Sequence, residues 1–402
     1  MNTKTQIWID RKLVKPFVST TNLLVRLVGQ ILRLDHNLQK DFKTIAVCKY
    51  KGLGSIIQAT PLLQTLRKQY PEARIVFIST RANKALLQKI DCIDECIFLD
   101  DSGFTKLLLS YPRFILKLIA LRIGVFIDLE IYSNFSSLTT TLSLARNRLG
   151  FYLRASHYRM GIYTHMMYYN TDAPIMQTYL QMARLLGAEN EVETLYPLKA
   201  TENAAHLSLP SKYMVINVNA SDLRIERRWP LNNFEALIEH ILEKWTEFGI
   251  VLIGSPSEAE YVNQLYERFS DENLINLAGK TSFDELITVI EQAKLMITND
   301  TGPLHIAASL NKPSVALFGP CTPQQYGALN KVNPVYLNLY CSPCVHEFDT
   351  PPCKGDNQCM KQIAVHLVTK AIENTLREEF KTNTTNRPFR SENGNALGEV
   401  MR

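Results

Sequence analysis

Apolar residues recur along this chain with two different periods. In residues 13 to 34, Leu23, Leu24, Leu27, Ile31 and Leu34 fall at helical spacing, with Arg26 and Arg33 on other faces. That pattern predicts an amphipathic basic helix, suited either to packing on the protein as an N-terminal cap or to lying on an anionic membrane surface. From residue 44 the pattern changes to short apolar runs. TIAVCKY, RIVFIST, ECIFLD and GVFIDLE read as buried strands, with helices between them at 55 to 69, 82 to 90, 105 to 121 and 134 to 145.

A less regular stretch from about 151 to 205 holds the helical YLQMARLLGA and ends in a polar linker. The alternation then restarts with YMVINVN, GIVLIG, NLINLAG, KLMITND and PSVALFG, and helices at 231 to 247, 256 to 270, 282 to 292 and 303 to 310. Ser282 and Glu285 form a capping box at the head of the third of these. Strands alternating with helices specify parallel sheets with right-handed crossovers, so the fold class is α/β with two doubly wound, Rossmann-like units facing one cleft. The expected division is a helical segment at 1–43, a first domain at 44–205, a second at 206–378 and a disordered tail at 379–402, where apolar periodicity is absent.

Composition narrows the classes. With 46% hydrophobic and 21% charged residues over 402 positions, the chain reads as an ordinary globular protein, and no window is apolar enough to cross a bilayer. A net charge of +5 is too mild to specify a nucleic-acid groove. The first residues lack the apolar run of a secretory signal, so a reducing cytoplasm is expected and the eight cysteines are expected to be free of structural disulfides. Four of them cluster as Cys341-x2-Cys344-x8-Cys353-x5-Cys359; the number suits tetrahedral zinc, but the second pair is not CxxC, and reduced structural cysteines are the competing reading.

Candidate chemistry sits where strands run into helices. Lys51-Gly52-Leu53-Gly54-Ser55 follows the first strand, and paired glycines allow a tight turn and close approach of a ligand to helix amides. A dinucleotide fingerprint would need a third glycine where Ile57 stands, so the sequence fits a dehydrogenase poorly, and an ordinary strand-to-helix turn is the competing reading. In the second half, Asn299-Asp300-Thr301-Gly302-Pro303-Leu304-His305 opens a helix and suits a diphosphate, although Thr301 alone would also serve as a plain N-cap. Asn219-Ala220-Ser221-Asp222 precedes Arg224, Arg227, Arg228 and Trp229; this is either a phosphate-binding cluster or a solvated loop anchored by the tryptophan. Gly254 and Glu258 end the next strand, where a carboxylate can accept from ribose hydroxyls.

GLGSIIQATPLLQTLRKQYPEARIVFIST, the RRWP loop and NDTGPLHIAASLNKPSVALFGPCTP resemble, in order and spacing, the heptosyltransferase family of GT-B glycosyltransferases, family 9. The resemblance runs from about residue 44 to 375. It implies an inverting, metal-independent transfer from a nucleotide-sugar, ADP-heptose or similar, to a lipid-linked saccharide of lipopolysaccharide or another envelope glycan, without a cofactor. By position it implies donor contacts at Ser221, Arg227, Gly254, Glu258, Thr281, Asp300, Thr301, Gly302 and His305. Related chains often begin with a similar WIDR-type segment and amphipathic helix, which favours peripheral contact with the inner face of the cytoplasmic membrane. One position departs from the family: its usual aspartate, held to deprotonate the acceptor, is Ser55 here, and a neutral serine is no general base. Glu130, at the end of GVFIDLE, is the expected substitute, with Asp128 second because it lies deeper on the same side of the strand. The alternative is a nucleotide-sugar or glycan binding protein that has lost catalysis.

Overall fold

The computed structural model describes residues 5, 8–201, 204–220, 224–345 and 353–385. Two six-stranded sheets, all pairings parallel, form the frame. The first contains β1 (Thr44–Cys48), β2 (Arg74–Thr80), β3 (Glu95–Leu99), β4 (Val125–Asp128), β5 (Asn147–Tyr152) and β6 (His165–Tyr168), ordered β3-β2-β1-β4-β5-β6. The second contains β7 (Tyr213–Asn217), β8 (Gly249–Leu252), β9 (Leu274–Asn276), β10 (Leu295–Asn299), β11 (Ser314–Phe318) and β12 (Val332–Tyr336), ordered β12-β11-β10-β7-β8-β9. Both orders are the same doubly wound pattern. The direction of winding reverses between β1 and β4 in one sheet and between β7 and β10 in the other, and the loops leaving those strands border each crevice.

The helices are α1 (Lys15–Leu32), α2 (Leu53–Gln58), α3 (Thr60–Gln69), α4 (Lys84–Leu87), α5 (Phe104–Ala120), α6 (Asn134–Leu142) and α7 (Ile175–Leu185) in the first half. In the second they are α8 (Leu231–Lys244), α9 (Ala259–Tyr266), α10 (Phe283–Gln292), α11 (Gly302–Ser309), α12 (Pro323–Tyr326), α13 (Gln358–Lys361) and α14 (Val365–Thr385). Strand alternation sorts the core. On β1, Ile45 and Val47 join the cluster shared with α2, α3 and α7, whereas Ala46 and Cys48 face the layer of α5. Because helices cover both faces, central strands such as β1 and β10 are buried at every position and read as unbroken apolar runs.

Several elements differ from the sequence expectation. The helix expected at 55 to 69 is two, α2 and α3, meeting at Ala59 just ahead of Pro61. The irregular stretch after 151 lies beside two unforeseen strands, β5 and β6, and β12 adds a third. β6 is a half-exposed edge, and β12 is an edge strand carrying Pro334, so neither has the apolar continuity of an inner strand. The expected tail at 379–402 begins as helix: α14 continues to Thr385 and packs against α8 and β12, and positions beyond it lie outside the described residues.

The N-terminal helix forms in an unusual orientation. It docks through Val18, the one fully buried residue, with Asn22 and Arg26 closing on Gly161, whereas Phe17, Leu23, Leu24, Leu27, Val28, Ile31 and Leu32 are exposed. Its apolar stripe therefore faces away from the protein.

Candidate active site

The β1 and β4 loops meet on the first crevice. Glu130, two residues past β4, accepts from the backbone amides of Tyr50 (2.7 Å) and Lys51 (3.0 Å) on Oε1 and from Lys49 Nζ (2.9 Å) on Oε2. Lys49 is itself almost buried; burial opposes its charge, but Glu130 outweighs that and holds the ammonium protonated. The carboxylate thus clamps the turn that leads into Gly52, whose φ of 89° is open to glycine. Ser55, half-buried in the first turn of α2, is hydrogen-bonded with the buried Tyr179.

Asp128 is fully buried, accepting from Tyr163 Oη at 2.6 Å, Ser136 Oγ at 2.8 Å and Glu130 N at 3.0 Å. Burial pushes its pKa up to about 6. It orients the Glu130 backbone from below and has no route to the crevice. Asp10, from the segment before α1, also reaches this rim, where it caps α6 by accepting from Asn134 N (3.0 Å) and Phe135 N (2.7 Å).

The second crevice is built from the β7 and β10 loops. Trp229 is fully buried, donating from Nε1 to Ile363 O, and its amide bonds Asn299 Oδ1. It anchors the loop, and Arg228 reinforces it by donating to Ala220 O and stacking over Tyr261 at 4.2 Å. Only Arg227 of the three arginines is directed at the β10 loop, with Nη1 3.4 Å from Asp300 Oδ2 and 3.2 Å from Asp300 O. Burial opposes its charge, but Asp300, Cys321 and Tyr326 around it more than compensate. Asp300 is 2% exposed; apart from the Cys321 thiol and the long Arg227 contact, neither carboxylate oxygen has a hydrogen-bond partner, and Arg227 Nε has none. Buried polar atoms are seldom left so, and three of them converging on one crevice mark a place for a ligand.

Beside them, α11 begins at Thr301 with an extended backbone and Pro303 in its first turn, and no side chain caps it. The Thr301 hydroxyl instead accepts from Asn217 Nδ2 at 2.8 Å. The plain N-cap reading is therefore not what the side chain does; Pro303 has no N–H and Leu304 N already bonds Thr301 O at 3.1 Å, which leaves the Gly302 amide at the helix start for an anion. Gly254 is packed so closely that a Cβ would meet Asn219 Nδ2 at 2.7 Å. Glu258 closes a capping box with Ser255, accepting from its amide at 2.9 Å and its hydroxyl at 2.7 Å. Thr281 precedes the Ser282–Glu285 capping box on the same rim. Ser221 lies outside the described residues.

The two walls touch. A Cβ on Gly54 would sit 2.1 Å from His305 Cδ2, and one on Gly302 would sit 3.3 Å from Leu53 Cδ2, so each glycine loop accommodates the other domain's helix. Gln58 donates from Nε2 to His305 Nδ1 at 2.8 Å and to Tyr326 O at 3.2 Å, and Gln325 donates to Tyr169 Oη at 2.9 Å. Burial drives the His305 pKa down to about 4, so the ring is neutral at ordinary pH with its proton on Nε2. Lys49, Gln58, Tyr179, Cys321 and Tyr326 were not singled out from the sequence. Gln58 had a signal, since it lies one turn beyond Ser55 on the same helix face. Among the described residues no group of three His, Cys, Asp or Glu is arranged to hold a metal ion, and Cys341, Cys344, Cys353 and Cys359 are free thiols that lie near one another.

Comparison with known proteins meets this geometry. Residues 133–354, more than half of the chain, match the model for glycosyltransferase family 9 (heptosyltransferase). A lipooligosaccharide heptosyltransferase 2 of Campylobacter jejuni is 23% identical over 331 residues, covering 81% of this chain and 96% of that protein. The corresponding Haemophilus ducreyi protein is 32% identical over 165 residues, or 40% of this chain; the match spans only 44% of the relative's length. Among solved structures, Escherichia coli ADP-heptose lps heptosyltransferase II superposes with a TM-score of 0.67 at 22% identity, covering 84% of this chain and 99% of that one. An E. coli heptosyltransferase solved with ADP gives 0.59 at 17% identity, covering 83% and 98%. Sheet order, facing crevices and the family match agree: this chain belongs to glycosyltransferase family 9, with the two-domain GT-B fold.

Proposed function

We propose that the protein moves a sugar, heptose in the first instance, from ADP-heptose or a similar nucleotide-sugar to a lipid-linked saccharide acceptor of lipopolysaccharide or another envelope glycan. The reading rests on one observation: Arg227 and Asp300 converge with unmet hydrogen bonds beside the uncapped start of α11. Arg227 and the Gly302 amide at the helix start take the diphosphate, which balances the charge that develops as it leaves. Asp300 and Thr301 take sugar hydroxyls, neutral His305 donates from Nε2, and Ser221, Gly254, Glu258 and Thr281 border the nucleoside. The acceptor oxygen attacks the anomeric carbon from the first-domain side as the diphosphate departs opposite, so the configuration inverts. No Asp-x-Asp pair is placed to hold a diphosphate-bound cation, and the transfer proceeds without metal.

Glu130 is the carboxylate proposed to receive the acceptor proton, a step worth about 100-fold to 10,000-fold in rate. Its three bonds to Lys49, Tyr50 and Lys51 favour a second reading, a donor-binding protein with impaired catalysis. Incubating the purified protein with donor and deacylated glycan acceptor, with and without EDTA, tests both. Release of nucleoside diphosphate with an inverted product, unchanged by EDTA, supports transfer; saturable donor binding without turnover supports the second reading; absence of donor binding ends both.

Among the described residues no helix is long and apolar enough to cross a membrane. The exposed stripe of α1 is instead proposed to lie on the inner face of the cytoplasmic membrane, attracted by Lys15, Arg26 and Arg33. Deleting residues 13–34 is expected to leave both domains folded and to abolish salt-sensitive binding to anionic vesicles. Aggregation of the deletion variant would instead place the helix in the core.

A further inference from the structure

The outer face of the first sheet carries three helices side by side. α5 covers it through Phe114, Ile115 and Leu118, α6 packs beside α5, and α1 packs against α6. All three start at the carboxyl rim of the strands. α5 and α6 each follow a strand, and Asp10, at the head of α1, caps the first turn of α6. At the far end, His36 and Asp35 meet Arg146 just ahead of β5.

A surface helix that buries one apolar face normally shows charge on the other. α5 does not. With Phe114, Ile115 and Leu118 already turned to the sheet, it still exposes Phe104, Leu108 (63%), Leu109 (78%) and Leu116 (64%). α1 on the far side of α6 does the same with Leu24, Leu27 and Ile31. Neither α1, α5 nor α6 contains a single aspartate or glutamate, although the chain has 39 of them. The charges they do carry, Lys15, Arg26, Lys106, Arg113 and Lys117, are all positive.

We propose that α5 is a second lipid-contact element, so that the protein rests on an anionic bilayer by the outer helical layer of its first sheet at two separate points. The occupant is a membrane because these helices pair exposed leucines with cations and contribute no acid of their own, the acids beside them being paired or capping, Glu95 with Lys117 and Asp10 at the head of α6; that complements acyl chains beneath anionic headgroups. Two contacts, one on each side of α6, hold the layer flat where a single helix would leave the protein free to tilt. The first turn of α5, with Phe104, follows β3 on the same carboxyl edge of the sheet as the crevice loops, so a lipid-linked acceptor can present its saccharide to that edge while its lipid stays in the bilayer. This inference extends the attachment proposed for α1 but is tested apart from it.

The test uses the full chain with phosphatidylglycerol and phosphatidylcholine vesicles, comparing wild type, Leu108→Ser/Leu109→Ser/Leu116→Ser and Leu24→Ser/Leu27→Ser/Ile31→Ser by co-sedimentation. All six positions are exposed, and unchanged thermal unfolding verifies that the variants fold. Each triple variant is expected to lower partitioning onto phosphatidylglycerol by at least about tenfold, because membrane affinity scales with buried apolar area, and the two losses should multiply when combined. A Leu109→Trp variant should in addition gain fluorescence quenching by brominated lipid over the wild-type signal. Wild-type binding in the α5 variant, with loss in the α1 variant, overturns the inference and leaves the α1 attachment standing; the opposite pattern supports α5 and removes α1. If wild type binds no vesicle, or if the α5 changes only dissolve a dimer seen by light scattering, the face is not a lipid contact.

Discussion

The two crevice loops are the same topological feature, yet their hydrogen-bond balance is opposite. On the first domain the buried acid is fully met: Glu130 has Lys49 and two amides, and Asp128 has two hydroxyls and an amide. On the second, Asp300 is as deeply buried as Asp128 and has a countercharge, but the weakly donating Cys321 thiol is its hydrogen-bond partner and no amide or hydroxyl meets either oxygen. A satisfied network makes a rigid wall, whereas an unsatisfied one carries a desolvation cost of about 1–3 kcal/mol per group that a ligand relieves. The difference supports the proposed placement of the donor on the second domain without reference to any motif.

The largest test breaks the unsatisfied side. Arg227→Ala leaves Asp300 buried without its countercharge, with an expected stability loss of about 3–5 kcal/mol and donor affinity reduced beyond detection. Asp300→Asn keeps the size and removes the charge; it should lower donor affinity about 10-fold to 150-fold, as calorimetry would measure, and because it leaves the Arg227 guanidinium without its countercharge it should cost less stability than Arg227→Ala, since an amide oxygen can still face the guanidinium. A loss for Asp300→Asn as large as that of Arg227→Ala, with donor affinity unchanged, would make Asp300 a structural partner of Arg227 alone, and the contrast between the crevices would vanish.

Glu130→Gln probes the satisfied side. It strands the buried Lys49 ammonium, so stability should drop by about 3 kcal/mol, and turnover should fall with little change in donor binding. If Ser55→Ala proves the more severe of the two for turnover, the base assignment fails and Ser55 has a positioning role through Tyr179. Loss of stability without loss of turnover would make Glu130 a clamp alone.

Asp128 sharpens the comparison through pH. Its folded pKa of about 6 lies above the unfolded value of 3.8, so the folded protein retains a proton that the unfolded chain has released. That contribution is present at about pH 4 and below and is lost as pH rises through 6, amounting to about 2–3 kcal/mol. Asp128→Asn removes the titration, so its stability relative to wild type should improve by up to that amount between pH 4 and 7 in denaturant melts. A pH-independent difference would contradict the raised pKa. The smallest effect is expected where the walls meet: Gly54→Ala drives a methyl into His305 and should cost about 1 kcal/mol or slightly more, together with a several-fold fall in turnover.

Much of this was legible along the chain. Two restarted runs of alternating strand and helix specify two doubly wound sheets, because parallel strands covered on both faces must be continuously apolar and their crossovers must be helices. Glycine pairs, the Arg227 loop and the Asp300–His305 segment could be placed at strand ends for the same reason. Edge elements were less legible: β6 and β12 are partly exposed and need not be apolar, so their residues resemble loop. Length and local period alone determine inner strands and long helices, because burial on both faces or along one stripe restricts residue type at every position.

Partnership was decided only by the tertiary structure. Nothing local distinguishes Glu130 from Asp300, both acids at the ends of central strands; the distinction comes from Lys49, 81 positions away and at hydrogen-bond distance, and from the longer 3.4 Å approach of Arg227 to Asp300. Gly54 is required by His305, 251 positions later in the chain, and Gln58 becomes meaningful only when the second domain closes on it. The stripe on α1 is compatible in sequence with either a core face or a membrane face, and only packing shows that Val18 and Asn22 take the contact and leave the leucines outside. Local pattern reports which residues can be buried, but which polar groups find partners and which apolar faces stay uncovered depends on distant segments brought together by the fold.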